Sequence, residues 1–271
     1  MQSFEQQYYE SEQFWKEGMI EDEYNIKRLN ASIALVPKGT ETLADIGCGN
    51  GIFALLLQSQ RPEIDSTSVD RSETAVKHVK TKSKVGDINA LPFENRTFDC
   101  VTCFQVLEHI PYPVYDTVLN ELSRIAKKNV IISVPYQEKT EDDITKCPAC
   151  HATFNIELHL RNYFDKDIQQ LFSKFGFKCV QQQVIEKLNT NYLGVGWYIK
   201  FRNARLKNKG KFQSPLCPIC GYENPAFKIP EGNNNGTTTS QGGGGIKSLL
   251  KKLWPTVKTK AYWVIGVYER V

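Results

Sequence analysis

The chain has 271 residues, 41% hydrophobic and 24% charged, which is enough apolar side chain for one substantial core and too much for a disordered polymer. No run approaches the roughly 18 consecutive apolar residues of a spanning helix. The start, MQSFEQQYYESEQFWKEG, lacks the basic opening and apolar run of a secretory signal, so a cytoplasmic location is expected. The net charge of +4 is modest, with basic residues gathered at 200–211 and 247–260, and a solvated surface is the preferred reading of both stretches. Oligomeric state is not legible from these numbers.

Residues 2–35 read as helical, with Phe4, Tyr8, Phe14 and Trp15 contributing apolar surface and Pro37-Lys38-Gly39 ending the segment. LADIG (43–47) is a short apolar strand, CGNG a turn and IFALLLQSQ a helix. A second strand ends near Val69, and Ser72 is placed to cap a helix through Ala75, Val76 and Val79. Further strands end near Val85 and span 98–104. Val114, Val118, Leu122 and Ile125 mark a helix over about 112–125, and NVIISVP (129–135) is the fifth strand. Strands alternating with helices at these intervals specify βαβ units and a parallel sheet.

After Pro135 the pattern becomes irregular. A helix is expected over 164–176, capped by Asp165 and ended by Gly176, then a strand from Phe177 to about Val184 and a terminal strand over 262–269. Between those strands, EGNNNGTTTSQGGGG (231–245) has the composition of a mobile loop. Ile246, Leu249, Leu250, Leu253 and Trp254 form one apolar stripe of a short helix. Packing of that stripe on the protein is preferred, with peripheral membrane contact as the alternative.

The turn Asp45-Ile46-Gly47-Cys48-Gly49-Asn50-Gly51 lies between a strand and a helix. Glycines let the backbone turn sharply and approach a ligand, and the helix start offers unpaired N–H groups. Asp45 puts a carboxylate where it could bind an ammonium directly or through water. Asp70 ends the second strand, where an acid faces nucleotide ribose hydroxyls, and the stem of Arg71 could cover part of such a ligand. Asp87 and Ile88 follow the third strand, positioned for the amine and the face of an adenine. A nicotinamide dinucleotide is disfavoured because Ile52 stands where its GxGxxG fingerprint would have a glycine.

On LADIGCGNG (43–51), STSVDRS (66–72), VGDINALPF (85–93), FDCVTCFQVLEHI (98–110) and NVIISVP (129–135), the chain resembles the class I S-adenosylmethionine-dependent methyltransferases, particularly the ubiquinone and menaquinone group. The resemblance implies an α/β Rossmann-like sheet of seven strands in order 3-2-1-4-5-7-6 with the last strand antiparallel. It also implies methyl transfer to an oxygen, nitrogen or carbon nucleophile of a small molecule. It gives Gly47 and Gly49 the methionine part of the cofactor, Asp70 the ribose, and Asp87 with Ile88 the adenine; Asp45, Cys48, Arg71 and Gln105 complete the expected cofactor set. An RNA or protein acceptor and a catalytically silent binding module are the alternatives, and a nucleic-acid partner is not expected.

Methyl transfer needs alignment and a dry site, with a base only where the acceptor must lose a proton. His109, after the fourth strand, is the candidate base. Relatives that hold a divalent ion carry ExxEH; here Gln105 replaces the first glutamate, so magnesium is not expected, although His159 or His151 could approach Glu108 and His109. Tyr8, Trp15, His109, His159 and Arg161 are expected to meet the acceptor, Tyr8 and Trp15 from a lid.

Eight cysteines include the pairs Cys147-Pro148-Ala149-Cys150 and Cys217-Pro218-Ile219-Cys220. Two-residue spacing lets each pair offer two thiolates to one tetrahedral zinc, giving a closed, structural site; two independent redox pairs are the alternative. The expected organisation is a helical lid (1–36), a methyltransferase core (37–187 and 261–271), and insertions (136–163 and 188–260) forming a small cysteine-rich subdomain.

Overall fold

The computed structural model describes residues 9–10, 15, 23–142, 144–192, 217–222 and 255–271, with the side chains of 142, 187–192 and 255–259 left out of the description. Tyr8, the basic stretch at 200–211, the glycine-rich segment and the 246–254 helix expected from sequence lie outside the described residues.

The elements, in chain order, are α1 (Glu23–Ala34), β1 (Thr42–Ile46), α2 (Ile52–Gln60), β2 (Asp65–Asp70), α3 (Glu73–His78), β3 (Ser83–Val85), β4 (Phe98–Phe104), α4 (Tyr112–Ile125), β5 (Ala126–Pro135), β6 (Ile144–Lys146), β7 (Thr153–Asn155), α5 (Asp165–Gln170), β8 (Phe177–Tyr192) and β9 (Pro255–Arg270). Strands β1 to β5, β8 and β9 form one seven-stranded sheet in the order β3-β2-β1-β4-β5-β9-β8. β9 runs antiparallel to both of its neighbours, as expected from the family resemblance. β6 and β7 make a separate two-stranded hairpin.

The sheet is buried on both faces, which is why β4 is buried at every position. On one face Leu29 and Ile33 of α1 and Phe53 and Leu57 of α2 pack over Leu43, Cys100, Ile131, Trp263 and Ile265. On the other, Val118, Leu119 and Leu122 of α4 and Ile168 of α5 pack with Ala44, Val101, Val130, Ile132 and Tyr268. α3 is capped as expected, with the Ser72 Oγ accepting from the Ala75 N–H at 3.0 Å.

Several boundaries differ from the sequence reading. The helix expected over 164–176 ends at Gln170 and is followed by a 3-10 turn, Ser173–Phe175, closed by Gly176 at φ 78°. Its cap is not Asp165, which accepts instead from the Tyr136 hydroxyl at 2.5 Å; Asp167 reaches back to the Phe164 N–H at 2.9 Å. β8 and β9 run well past Val184 and start well before Tyr262, because their ladder continues from Glu186↔Ala261 out to Tyr192↔Pro255. That extension is polar in sequence (EKLNTNY), so alternation of apolar residues could not mark it; backbone pairing carries it.

Candidate active site

The glycine turn sits at the carboxyl end of β1. Gly47, Gly49 and Gly51 take φ values of 73°, 54° and 78°. The Gly47 and Cys48 N–H groups both donate to the Val69 carbonyl, at 2.8 and 3.0 Å, which bends the chain across the end of β2. Close packing as well as φ requires glycine here: a Cβ on Gly49 would lie 2.9 Å from the Trp15 ring and one on Gly51 2.7 Å from Val79.

Asp70 is built into this turn. Its Oδ2 accepts from the Gly49 N–H at 2.9 Å and its Oδ1 from the Ser72 N–H at 2.9 Å. Burial raises its pKa against the pull of those two donors. Asp45 is 2% exposed and accepts from the Thr102 hydroxyl at 2.8 Å; burial pushes it up to about 7, with Thr102 opposing. Cys48 is buried beside both acids, and desolvation holds its thiol far above the ordinary range. Asp87 is exposed and takes both the backbone and side-chain N–H groups of Asn89 at 2.8 Å, while Ile88 packs on the core. Arg71 lies over the Tyr9 ring, 5.6 Å from its centroid.

Tyr9, Glu10 and Trp15 lie against the glycine turn and the start of α3. Trp15 is buried and donates from Nε1 to the Tyr9 carbonyl at 2.6 Å, and the same carbonyl accepts from the Ser72 hydroxyl at 2.8 Å. Glu10 accepts from the Thr74 N–H at 3.2 Å, at the start of α3.

The opposite wall follows β4. Gln105, at φ 56°, donates from its N–H to the Ser133 carbonyl at 2.9 Å and from Nε2 to the Ser133 hydroxyl at 3.3 Å. Glu108 is fully buried, neither carboxylate oxygen has a partner, and burial raises it to about 7. His109 is half-buried, and desolvation with the neighbouring His159 lowers it to about 3, a poor setting for the base expected from its position. His159 has the contrary setting: burial opposes its charge, but Glu138, 2.6 Å from its Nδ1, raises it overall. The two histidine rings are 4.9 Å apart, and Glu108, His109 and His159 offer ligand atoms within 4.8 Å of one another. His151 is not part of this group; it sits exposed at the first cysteine knuckle. Arg161 donates to the Ile110 carbonyl and lies 3.5 Å from the Tyr115 ring centroid and 4.5 Å from that of Tyr112.

Sequence reasoning missed Arg28. It is 5% exposed, donates to the Ser133 hydroxyl at 2.8 Å and to Asn25 at 2.5 Å, and lies between the Phe104 and Trp263 rings at 5.9 and 5.4 Å. Its Nε is buried without a partner. Burial lowers its pKa to about 10 while Glu108 and Asp45 hold it up. The available signal was phase: Asn25, Arg28 and Ser32 fall on one helical stripe beside Leu29 and Ile33.

The four expected cysteines meet. Cys147 Sγ lies 3.7 Å from Cys220 Sγ, and Cys150 Sγ lies 3.7 Å from Cys217 Sγ, with all four sulfurs within 4.8 Å. The knuckles match: the His151 N–H donates to the Cys147 carbonyl at 3.1 Å, and the Gly221 N–H to the Cys217 carbonyl at 3.0 Å. Desolvation raises the Cys147 thiol, but the Cys150 and Ala149 N–H donors outweigh it, bringing it down to about 7. For Cys220 the Tyr222 N–H favours the thiolate, but desolvation and the three neighbouring thiols push it up to about 12. Four sulfurs this close ionise together only around a cation, and the geometry suits tetrahedral zinc.

A family model described as a methyltransferase domain matches residues 21–182. The ubiquinone biosynthesis O-methyltransferase of Nitrosomonas europaea is 31% identical over 116 residues, covering 39% of this chain and 48% of that protein. The chloroplastic magnesium protoporphyrin IX methyltransferase of Arabidopsis thaliana is 27% identical over 99 residues, 34% of this chain and 32% of that one. The chain thus spans less than half of the length of the curated relatives it matches. Among solved structures, magnesium protoporphyrin IX methyltransferase of Synechocystis PCC 6803 with bound S-adenosylhomocysteine gives a TM-score of 0.52 at 17% identity, covering 68% of this chain and 93% of that chain. A Pyrococcus horikoshii OT3 protein gives 0.52 at 14% identity over 98% and 99% of the two chains. At these identities the structural likeness is one of fold. With the family model covering more than half of its length, the chain belongs to the methyltransferase domain family, in the class I fold.

Proposed function

We propose that this chain transfers the methyl group of S-adenosylmethionine to an oxygen, nitrogen or carbon nucleophile of a small-molecule acceptor. The observation that carries the reading is Asp70, whose carboxylate is tied to the Gly49 and Ser72 N–H groups at the carboxyl ends of β1 and β2. An acid held there faces ribose hydroxyls in this fold. The residues present suit the cofactor chemically. The buried carboxyls of Asp45 and Glu108 and the half-buried carboxylate of Asp70 favour a ligand bearing an ammonium and a sulfonium, and the orphaned Nε of Arg28 suits its carboxylate. When bound, S-adenosylmethionine supplies a methyl group already activated by its sulfonium charge.

The chain's own work is positioning. Gly47 and Gly49 admit close backbone approach, Cys48 and Gln105 line the turn and its far wall, Arg71 covers the ribose side, and Asp87 with Ile88 takes the adenine. Trp15 closes the crevice and excludes water. On the acceptor side, His159 takes over the proton-accepting role expected at His109: an acceptor O–H or N–H proton passes to its Nε2 while Glu138 steadies the imidazolium at Nδ1. His109 packs beside it as a neutral ring, and Arg161 with Tyr115 shapes the entry. Zinc at Cys147, Cys150, Cys217 and Cys220 is structural in this reading.

Calorimetric binding of S-adenosylmethionine, with Asp70→Ala alongside, tests the proposal. Micromolar binding that the substitution abolishes supports it. Failure of folded wild-type protein to bind would overturn it.

A further inference from the structure

The cysteine cluster and the acceptor side are joined by a short, traceable path. Cys147 and Cys150 form the tip of the β6–β7 hairpin, which has three residues in each strand. A two-stranded hairpin of that length is not stable alone, and Ile144 leaves it half exposed at 51%. Its tip is fixed by the thiol cluster with the 217–222 knuckle, a segment that follows β8.

Its base is fixed by Asn155, the last residue of β7, which is 6% exposed. Asn155 Nδ2 donates to the Thr140 carbonyl at 2.8 Å, two residues beyond Glu138. Its Oδ1 accepts from the Glu157 N–H at 2.9 Å and the His159 N–H at 3.3 Å. The turn so held contains Leu158 at φ 60°, a conformation a leucine adopts only under constraint. One amide therefore grips both segments that carry the Glu138–His159 pair.

We propose that the four-thiolate clip sets the position of the Glu138–His159 pair, and that Asn155 is the positioning residue that transmits it. Bound zinc holds the hairpin tip to the 217–222 knuckle, the rigid hairpin holds Asn155, and Asn155 holds the two loop segments in register. Without zinc the hairpin loses its anchor, and the pair loses its alignment while the glycine turn keeps its own. The clip is then a condition for acceptor handling and not for cofactor binding. This rests on the proposed reading of the His159 side as the acceptor side, but the coupling itself is measurable without any turnover.

The test is amide hydrogen exchange on the full zinc-loaded chain, compared with chelator-treated protein and with Cys217→Ser/Cys220→Ser, Asn155→Ala and Asn155→Asp. Removing zinc should speed exchange at 156–163 at least tenfold and leave 43–51 unchanged. Asn155→Ala should retain one zinc per chain, keep 144–153 protected and still expose 156–163. Asn155→Asp keeps the acceptor and loses the donor, so it should restore protection at 157 and 159. Equal protection of 156–163 with and without zinc, in protein whose 43–51 amides stay protected, would overturn the proposal. Should the double serine variant fail to fold, the chelator and Asn155 arms decide. S-adenosylmethionine binding in the same samples reads the proposed function separately: its absence would sink that function and leave the coupling to stand or fall on exchange.

Discussion

A side-chain methyl of Val106 occupies the space that a Cβ on Gly47 would need, and Gly47 itself sits at φ 73°. The end of β1 and the segment after β4 are thus in direct contact at the floor of the crevice, and the glycine is required twice, by dihedral and by volume.

Gly47→Ala should therefore destabilise the protein by roughly 2–5 kcal/mol, the sum of about 1–2 for the left-handed backbone and about 1–3 for overpacking. Adding Val106→Ala removes the overlap but not the dihedral strain. The double variant should recover part of the urea midpoint, leaving roughly 1–2 kcal/mol unrecovered. Full recovery would mean that the backbone there is not under constraint.

The parts of this molecule that sequence revealed are those in which local chemistry and topology agree. Asp45 to Gly51 and Asp70 could be brought to one crevice because a glycine turn after one strand and an acid ending the next meet at the carboxyl edge of a parallel sheet. The four cysteines could be grouped because CPxC spacing fixes a knuckle whatever surrounds it. His151 and His159 could not be separated, since both follow β5 in an irregular segment; only the fold puts one beside Glu108 and the other at the knuckle. Arg28 was hidden because a charged residue in an amphipathic helix reads as surface, and its burial depends on where β5 and β9 place Ser133 and Trp263.

Glu108 gives a pH-dependent stability with a definite sign. Its folded pKa is raised to about 7, whereas an unfolded glutamate titrates near about 4.3. Between those values the folded state holds the proton more tightly, so stability falls as pH rises from about 4 to about 7 and the loss is complete above that. Asp45, raised to about 7, acts in the same sense. The His159 contribution is present below about 6.5 and is lost as pH rises through its raised folded value. Glu108→Gln should consequently stabilise the ligand-free protein at pH 8 by roughly 1–3 kcal/mol and change little at pH 4. Thermal unfolding at the two pH values checks this; equal shifts at both would show that Glu108 is not a buried, unpaired acid.

Zinc uptake should also depend on pH. Cys147 is brought down to about 7, whereas Cys220, at about 12, needs the metal to ionise. Zinc binding must then release protons, and affinity should fall steeply as pH drops below 7. Competition with a chromophoric chelator between pH 6 and 8 measures this, and a flat profile would argue against thiolate ligation.

Arg28 separates binding from stability most clearly. A buried guanidinium among Phe104 and Trp263 gains ring contacts and two hydrogen bonds but bears the desolvation that lowers its pKa to about 10. Arg28→Met keeps the length and the apolar stem, so stability should change by less than about 1 kcal/mol or rise. S-adenosylmethionine affinity should fall roughly 10- to 100-fold, the worth of one charge-assisted contact to its carboxylate. Arg28→Lys, retaining charge without the planar fork, should lie between the two. If Arg28→Met instead unfolds the protein while affinity in the folded fraction is unchanged, Arg28 serves the packing of α1 on β5 and β9 and takes no part in the ligand.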